Sequence, residues 1–379
     1  MRVKTIAVGL IMLLLLTGCQ NDNSNSNSQM TLESFRSRGG ESMSRRISVY
    51  VGEDNLLHMY DSGQSDTIVL CNKADCSHEP YDERDNPDPT CNAALNKELF
   101  SCCVPVISGD YLYLFGQENM SRGVVYRENL DGTGRTRVFT MDYQVGMGNS
   151  VYVTNNIVYA EAGIPIITED NLGGAGTNSS YDMLLRIDLQ SGETKEISPI
   201  SKEKFQNIDL LERKGDQLYY SFSYRTLSEG DDDYSTAPEH YSIYCYDLKT
   251  NKQTQLFTED ELEGLTPVGM TESSLCTFSK DTGEAFEISM KDKSRKSIYQ
   301  PPEHNAIYFM YNNRWIIGDM DKEEFSYLEG KELKVLEDIV SFSNTFGNYA
   351  EFYKKDGTCQ AVYGSSLFTE EKEIILERK

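Results

Sequence analysis

The chain has 379 residues and a formal net charge of −24, with 60 acidic against 36 basic side chains and only four histidines. So acidic a protein repels nucleic acid, which removes that class of partner. The length allows one large all-β domain or two ordinary domains, and 24 Tyr with 15 Phe against 10 Pro suits strands packed between sheets.

The chain begins with a short basic stretch, Met1–Lys4, and an almost unbroken apolar run, Ile6–Leu16. The run is too short for a stable membrane span and has the form of a secretory signal over residues 1–18. It ends in Leu16-Thr17-Gly18-Cys19, where small residues expose the bond before the one side chain able to make a stable thioether. These four residues resemble the bacterial lipobox. The resemblance implies cleavage before Cys19, a diacylglycerol on its sulfur and in most cases a further acyl chain, such as palmitate, on the new amino terminus. It implies an extracytoplasmic protein anchored to the cell membrane, or to an outer membrane if the cell has one, because Gln20 and not Asp follows. The alternative is an ordinary signal peptide with a chance cysteine.

Gln20–Gln29 has no apolar residue to bury, so residues 19–46 are expected to be a lipidated cysteine and flexible tether. Arg36, Arg38, Arg45 and Arg46 flank Gly39-Gly40. They read as ordinary surface charge, with contact to anionic headgroups as the alternative.

From residue 47 to residue 379 the pattern is one of strands and turns. Asn129, Asp188 and Asp247 each open a polar turn after an aromatic run, and they are spaced 59 residues apart. Each follows a second recurring piece: Val106–Gly116, Val151–Gly163 and Leu211–Ser223. Further alternating runs at Ser48–Tyr60, Gly269–Phe278, Ile307–Gly318 and Phe346–Tyr353 extend the series. A repeat of this length made of strands predicts an all-β fold, a β-propeller of seven (six to eight) four-stranded blades. The region resembles the β-propellers of bacterial envelope proteins, and in particular the propeller lipoproteins of Gram-positive anaerobes. Two loops interrupt the rhythm, Ile164–Tyr181 and Thr226–Glu239. The first lacks the Lys-Ser/Thr of a phosphate loop and the second lacks calcium-loop spacing, so both read as surface loops suited to recognition. Thr258–Glu261 has the capping-box pattern and predicts one helical turn between blades.

The chemically distinctive stretch is Cys71-x4-Cys76-x-His78-x12-Cys91. Three thiolates and an imidazole suit a tetrahedral metal site, with structural zinc as the expected occupant. Residues 79–90 have little apolar content, so a cross-link is expected to hold them. Disulfides are the competing reading, since eight cysteines remain beside Cys19 and Cys102-Cys103 lies close by; free thiols are the third. Cys245, Cys276 and Cys359 fall at strand positions and read as small core residues. Similar Cys/His loops occur in the propeller lipoproteins named above, which implies a shared structural device.

No nucleophile motif is present, and His58, His240 and His304 stand in no recognisable catalytic setting. The leading reading is therefore a binding or scaffolding module that joins the membrane through its N-terminal lipid and presents a propeller face to a peptide, a glycan or an envelope protein. The alternative is an envelope enzyme of lyase or hydrolase type, using channel-facing acids with His240 or His304.

Overall fold

In a computed structural model the chain forms a seven-bladed β-propeller, each blade a four-stranded antiparallel sheet. The structure describes residues 36–38, 41–100, 102–118, 122–145, 150–165, 180–199, 206–226, 237–302, 306–346 and 349–378. Cys19 and the leader lie outside these residues, as do His304 and most of the two long loops. Among the described residues, no helix is long and apolar enough to cross a membrane.

A short strand, β1 (Arg36–Arg38), precedes the first blade, which is β2 (Glu41–Met43), β3 (Ile47–Val51), β4 (Leu57–Asp61) and β5 (Asp66–Val69). Blade 2 follows as β6 (Val104–Ser108), β7 (Tyr111–Glu118), β8 (Arg122–Asn129) and β9 (Thr136–Met141). Blade 3 is β10 (Val151–Thr154), β11 (Ile157–Pro165), β12 (Ser180–Asp188) and β13 (Thr194–Glu196). Blade 4 is β14 (Gln206–Lys214), β15 (Gln217–Arg225), β16 (Glu239–Asp247) and β17 (Lys252–Phe257). Blade 5 is β18 (Leu265–Met270), β19 (Ser274–Ser279), β20 (Ala285–Ser289) and β21 (Arg295–Tyr299). Blade 6 is β22 (Ala306–Tyr311), β23 (Arg314–Asp319), β24 (Glu324–Glu329) and β25 (Glu332–Val335). Blade 7 is β26 (Ile339–Phe346), β27 (Tyr349–Lys354), β28 (Cys359–Tyr363) and β29 (Ile374–Arg378).

The 59-residue repeat is the turn between the third and fourth strands. The Asp188 carboxylate accepts the amides of Gln190 (2.9 Å) and Ser191 (3.0 Å), and Asp247 accepts those of Lys249 and Thr250. These local bonds compete successfully with strand continuation and reverse the chain. At Asp131-Gly132 the turn also needs glycine: φ is +77°, and a Cβ there would stand 2.1 Å from the Leu70 carbonyl oxygen. Half of the expected capping box forms: the Thr258 amide donates to Glu261 Oε2 (2.8 Å), while the Thr258 hydroxyl turns to the same carboxylate (3.2 Å), ahead of a single 3-10 turn, Asp260–Leu262.

Two sequence boundaries need correction. Residues 36–38 and 41–43, assigned above to the tether, are strands: β2 pairs with β3, and β1 pairs with both β2 and β10. The propeller therefore begins at Arg36 and not at 47. These strands are short and polar, so backbone pairing decides their conformation rather than apolar periodicity. Blade 7 likewise starts at Ile339, earlier than the run at Phe346 implied. Ser341 and Ser343 on that inner strand are exposed and Val340 is only half-buried, which broke the apolar run.

The ring closes without a shared strand, because blade 1 is N-terminal chain throughout and blade 7 is C-terminal. Side chains make the seam. Ser48 Oγ donates to the Ile375 carbonyl (2.8 Å), Arg45 pairs with Glu373 (2.6 Å), and Tyr50, Tyr60, Tyr349, Ile375 and Leu376 share one apolar cluster. On the inside, β1 bridges blade 1 to blade 3, joining them in one nine-stranded sheet.

Candidate functional site

The linker from β5 to β6 brings Cys71, Cys76, His78 and Cys91 together, with their donor atoms all within 4.8 Å of one another. Cys91 is buried and the other three are half-buried. Cys71 leaves β5 through a tight turn in which its amide donates to the Val69 carbonyl (2.7 Å). His78 takes a left-handed backbone (φ 56°), uncommon for a side chain of its size, and this sets its Nδ1 3.6 Å from Cys91 Sγ. Burial opposes ionisation of Cys71, but the Lys73 and Asn92 amides and the neighbouring thiols outweigh it and bring that thiol below its usual value. Burial, with the nearby Cys76 and Cys71 sulfurs, pushes Cys91 up to about 12. Three sulfurs this close resist joint ionisation unless a cation sits among them. Soft donors, four in number and converging, fit a metal ion, so the group could hold one.

No disulfide links these residues. The eight cysteines among the described residues are free, including the adjacent Cys102 and Cys103, so the suggested pairing with that dipeptide does not form. Cys245, Cys276 and Cys359 are buried in strands, as expected. The connecting segment 79–90 is better packed than its composition implied. Tyr81 is buried against the Phe100 ring (5.3 Å), and the Asp82 carboxylate accepts the amides of Arg84 and Asp85. The linker ends in a one-turn helix, α1 (Lys97–Phe100), capped by the Asn96 side chain.

Sequence reasoning missed the group that holds this linker down. Arg135, from the turn between β8 and β9, donates to the carbonyls of Ala94 (2.5 Å) and Asn92 (2.8 Å). Its Nε pairs with Glu128 Oε2 at 2.5 Å, and Glu128 is buried. Burial raises the Glu128 carboxyl above its ordinary value, with Arg135 opposing. Forty-odd residues of sequence separate these partners, and only the fold brings them together.

Two cavities open at the same end of the strands as this linker. The larger, about 690 Å³, lies between blades 4 and 5. On its wall Glu239 pairs with Lys280 Nζ (2.8 Å) and Arg225 Nη2 (3.5 Å). Burial would raise the Glu239 carboxyl, but Lys280 and the Tyr241 hydroxyl hold it below the usual carboxylate value. His240 stacks on Tyr224 at 5.1 Å and meets Thr226 Oγ1 at 3.2 Å, while the Tyr224 hydroxyl donates to Glu259 (2.8 Å). The smaller cavity, about 480 Å³, lies at the seam between blades 7 and 1. There His58 Nε2 meets Asp54 Oδ1 at 2.9 Å, and its ring stacks on Tyr50. On the opposite wall Cys359, raised to about 12 by burial, bonds Glu351, which also pairs with Arg378.

One further carboxyl on an innermost strand is strongly perturbed. Burial pushes half-buried Glu212 up to about 7, against the opposing Arg213 amide and Lys214 charge. The folded state thus favours the proton. Stability from this group is fully present below the ordinary value near 4.5 and is lost as pH rises to 7. Glu212→Gln should therefore stabilise the protein by about 1–2 kcal/mol at pH 8, with little effect at pH 4, in urea unfolding at the two pH values. A pH-independent difference would contradict this.

No family model matches the sequence, and no curated protein matches it. Solved structures do match in fold. The β-propeller domain of the trilobed protease from Pyrococcus furiosus is 9% identical with a TM-score of 0.46, over 93% of this chain and 97% of that one. A prolyl endopeptidase is 11% identical with a TM-score of 0.49, over 90% of this chain and 48% of that one, so this chain spans about half its length. An oligogalacturonate lyase in complex with manganese is 10% identical with a TM-score of 0.40, over 78% and 74%. At these identities the likeness is one of fold alone.

Proposed function

We propose that this protein is a lipid-anchored, extracytoplasmic binding module that presents one propeller face to a peptide, a glycan or an envelope protein. Cys19 carries the lipid, and Cys71, Cys76, His78 and Cys91 hold a structural zinc ion. The observation that carries the binding reading is the cavity between blades 4 and 5. Its volume of about 690 Å³ falls in the range of ligand sites, and its charged groups hold one another in fixed positions. Such preorganised polar groups fix a ligand's orientation at little entropic cost. Zinc suits a site with four protein ligands and no open position, where its contribution is a cross-link rather than chemistry.

The test is calorimetric titration with short peptides and cell-wall oligosaccharides. A ligand of this cavity should lose about tenfold or more in affinity on His240→Ala, or about 1.4 kcal/mol, with the melting temperature unchanged. A ligand whose affinity is untouched by both His240→Ala and Asp260→Asn would place recognition elsewhere. One observation favours an envelope enzyme as the second reading: His240 shares this cavity with Glu239 and Glu259, a pairing suited to proton transfer. Turnover of such a substrate, abolished by His240→Ala, would establish it.

A further inference from the structure

The two faces of the disc differ in charge. In an antiparallel four-stranded blade, the turn between strands two and three lies at the same end as the linker leaving strand four. The other two turns lie at the opposite end. Among the described residues, the second-to-third turns carry seven acidic and three basic side chains, and the linkers carry fourteen and three. The first-to-second turns carry three acidic and two basic, and the third-to-fourth turns six and six. One face is therefore strongly acidic, with twenty-one acids against six bases, and the other is close to neutral, with nine against eight. Both cavities and the Cys/His linker belong to the acidic face.

The chain enters from the other face. Strand β1 runs antiparallel to β2 and β10, with Arg36 opposite Met43. Arg36 is thus level with the end of β2, beside the first turn that carries Arg45 and Arg46. It stands among innermost strands and not at the rim. Sixteen residues lie between Cys19 and Arg36, a number whose span as a coil would be roughly 20–25 Å.

We propose that the near-neutral face lies against the membrane and that the acidic face, with the cavities and the metal-binding linker, points away from it. This rests on the lipid anchoring at Cys19 given above. A short tether attached near the axis brings the entry face to the lipid. Anionic headgroups then repel the acidic face over about one Debye length, ~8 Å at physiological salt.

Glu272 and Asp281 allow a matched test, because they sit at opposite ends of blade 5 and both are exposed. A fluorescent residue is incorporated at one position or the other in the full-length, acylated protein. The protein is then bound to phosphatidylcholine–phosphatidylglycerol vesicles carrying a headgroup quencher. Quenching should be several-fold stronger at 272 than at 281, and the contrast should shrink in high salt. Equal quenching, or stronger quenching at 281, in protein that floats with the vesicles would overturn the orientation and leave the anchor intact. Protein that does not float and has no acyl mass on Cys19 would overturn the anchor, and the orientation with it.

Discussion

Arg135→Met is expected to cost the folded protein about 3–5 kcal/mol, seen as a lower urea midpoint at unchanged m-value. The guanidinium neutralises Glu128 within a buried setting and also satisfies two carbonyls at the end of the Cys/His linker. Its removal leaves a buried carboxylate unpaired and two acceptors without a donor. The pair itself adds less than this loss implies, because both charges gave up solvation to form it. Converting Glu128 to Met in the same chain should therefore recover much of the loss, and the double-mutant cycle should show strong coupling. A single-mutant cost under about 1 kcal/mol would mean that the linker is held by other contacts.

The Cys/His group, if it holds the proposed metal, should give the other large effect. With metal in thousandfold excess over its dissociation constant, occupancy stabilises the fold by about 4 kcal/mol. His78→Ala removes one of four ligands and should forfeit about 3 kcal/mol of that, while changing the metal-free protein by under about 1 kcal/mol. Thermal unfolding with and without chelator, alongside elemental analysis, separates the two states. Equal destabilisation in both would show His78 to be a packing residue. An absence of bound zinc in protein purified without oxidant would remove the metal altogether.

How far the sequence could be read depended on how local each interaction is. The turns at Asn129, Asp188 and Asp247 were legible because Asp131, Asp188 and Asp247 each accept an amide two residues on. The Cys/His group was legible from its spacing and residue types, and its donors do converge. Strands β1 and β2 were not legible, since polar residues beside two glycines carry no periodic signal, although β2 pairs with its neighbour β3 and only β1 also reaches a remote strand, β10. Tyr81 was passed over because a single aromatic in an acidic, proline-rich stretch gives no pattern, although its ring is what seats the loop. His240 was noted without its setting. The cavity around it needs the linker ahead of β18 and the turn after β19, both remote in sequence. His304 and the loops 166–179 and 227–236 lie outside the described residues.

The seam between blades 7 and 1 bears on how the molecule is assembled. Every blade is one uninterrupted piece of chain, so a polypeptide emerging amino-terminus first can complete each sheet before the next arrives. Apart from the bridge from β1 to β10, contacts accumulate between neighbours in order, which keeps contact order low for an all-β protein of this size. Ring closure is then the final event. It joins residues more than three hundred positions apart, as in Ser48 with Ile375, and it waits on the last strand. A ribosome or export channel still holding back residues 349–378 would hold six finished blades with two apolar flanks uncovered, an interval in which such a chain is open to aggregation.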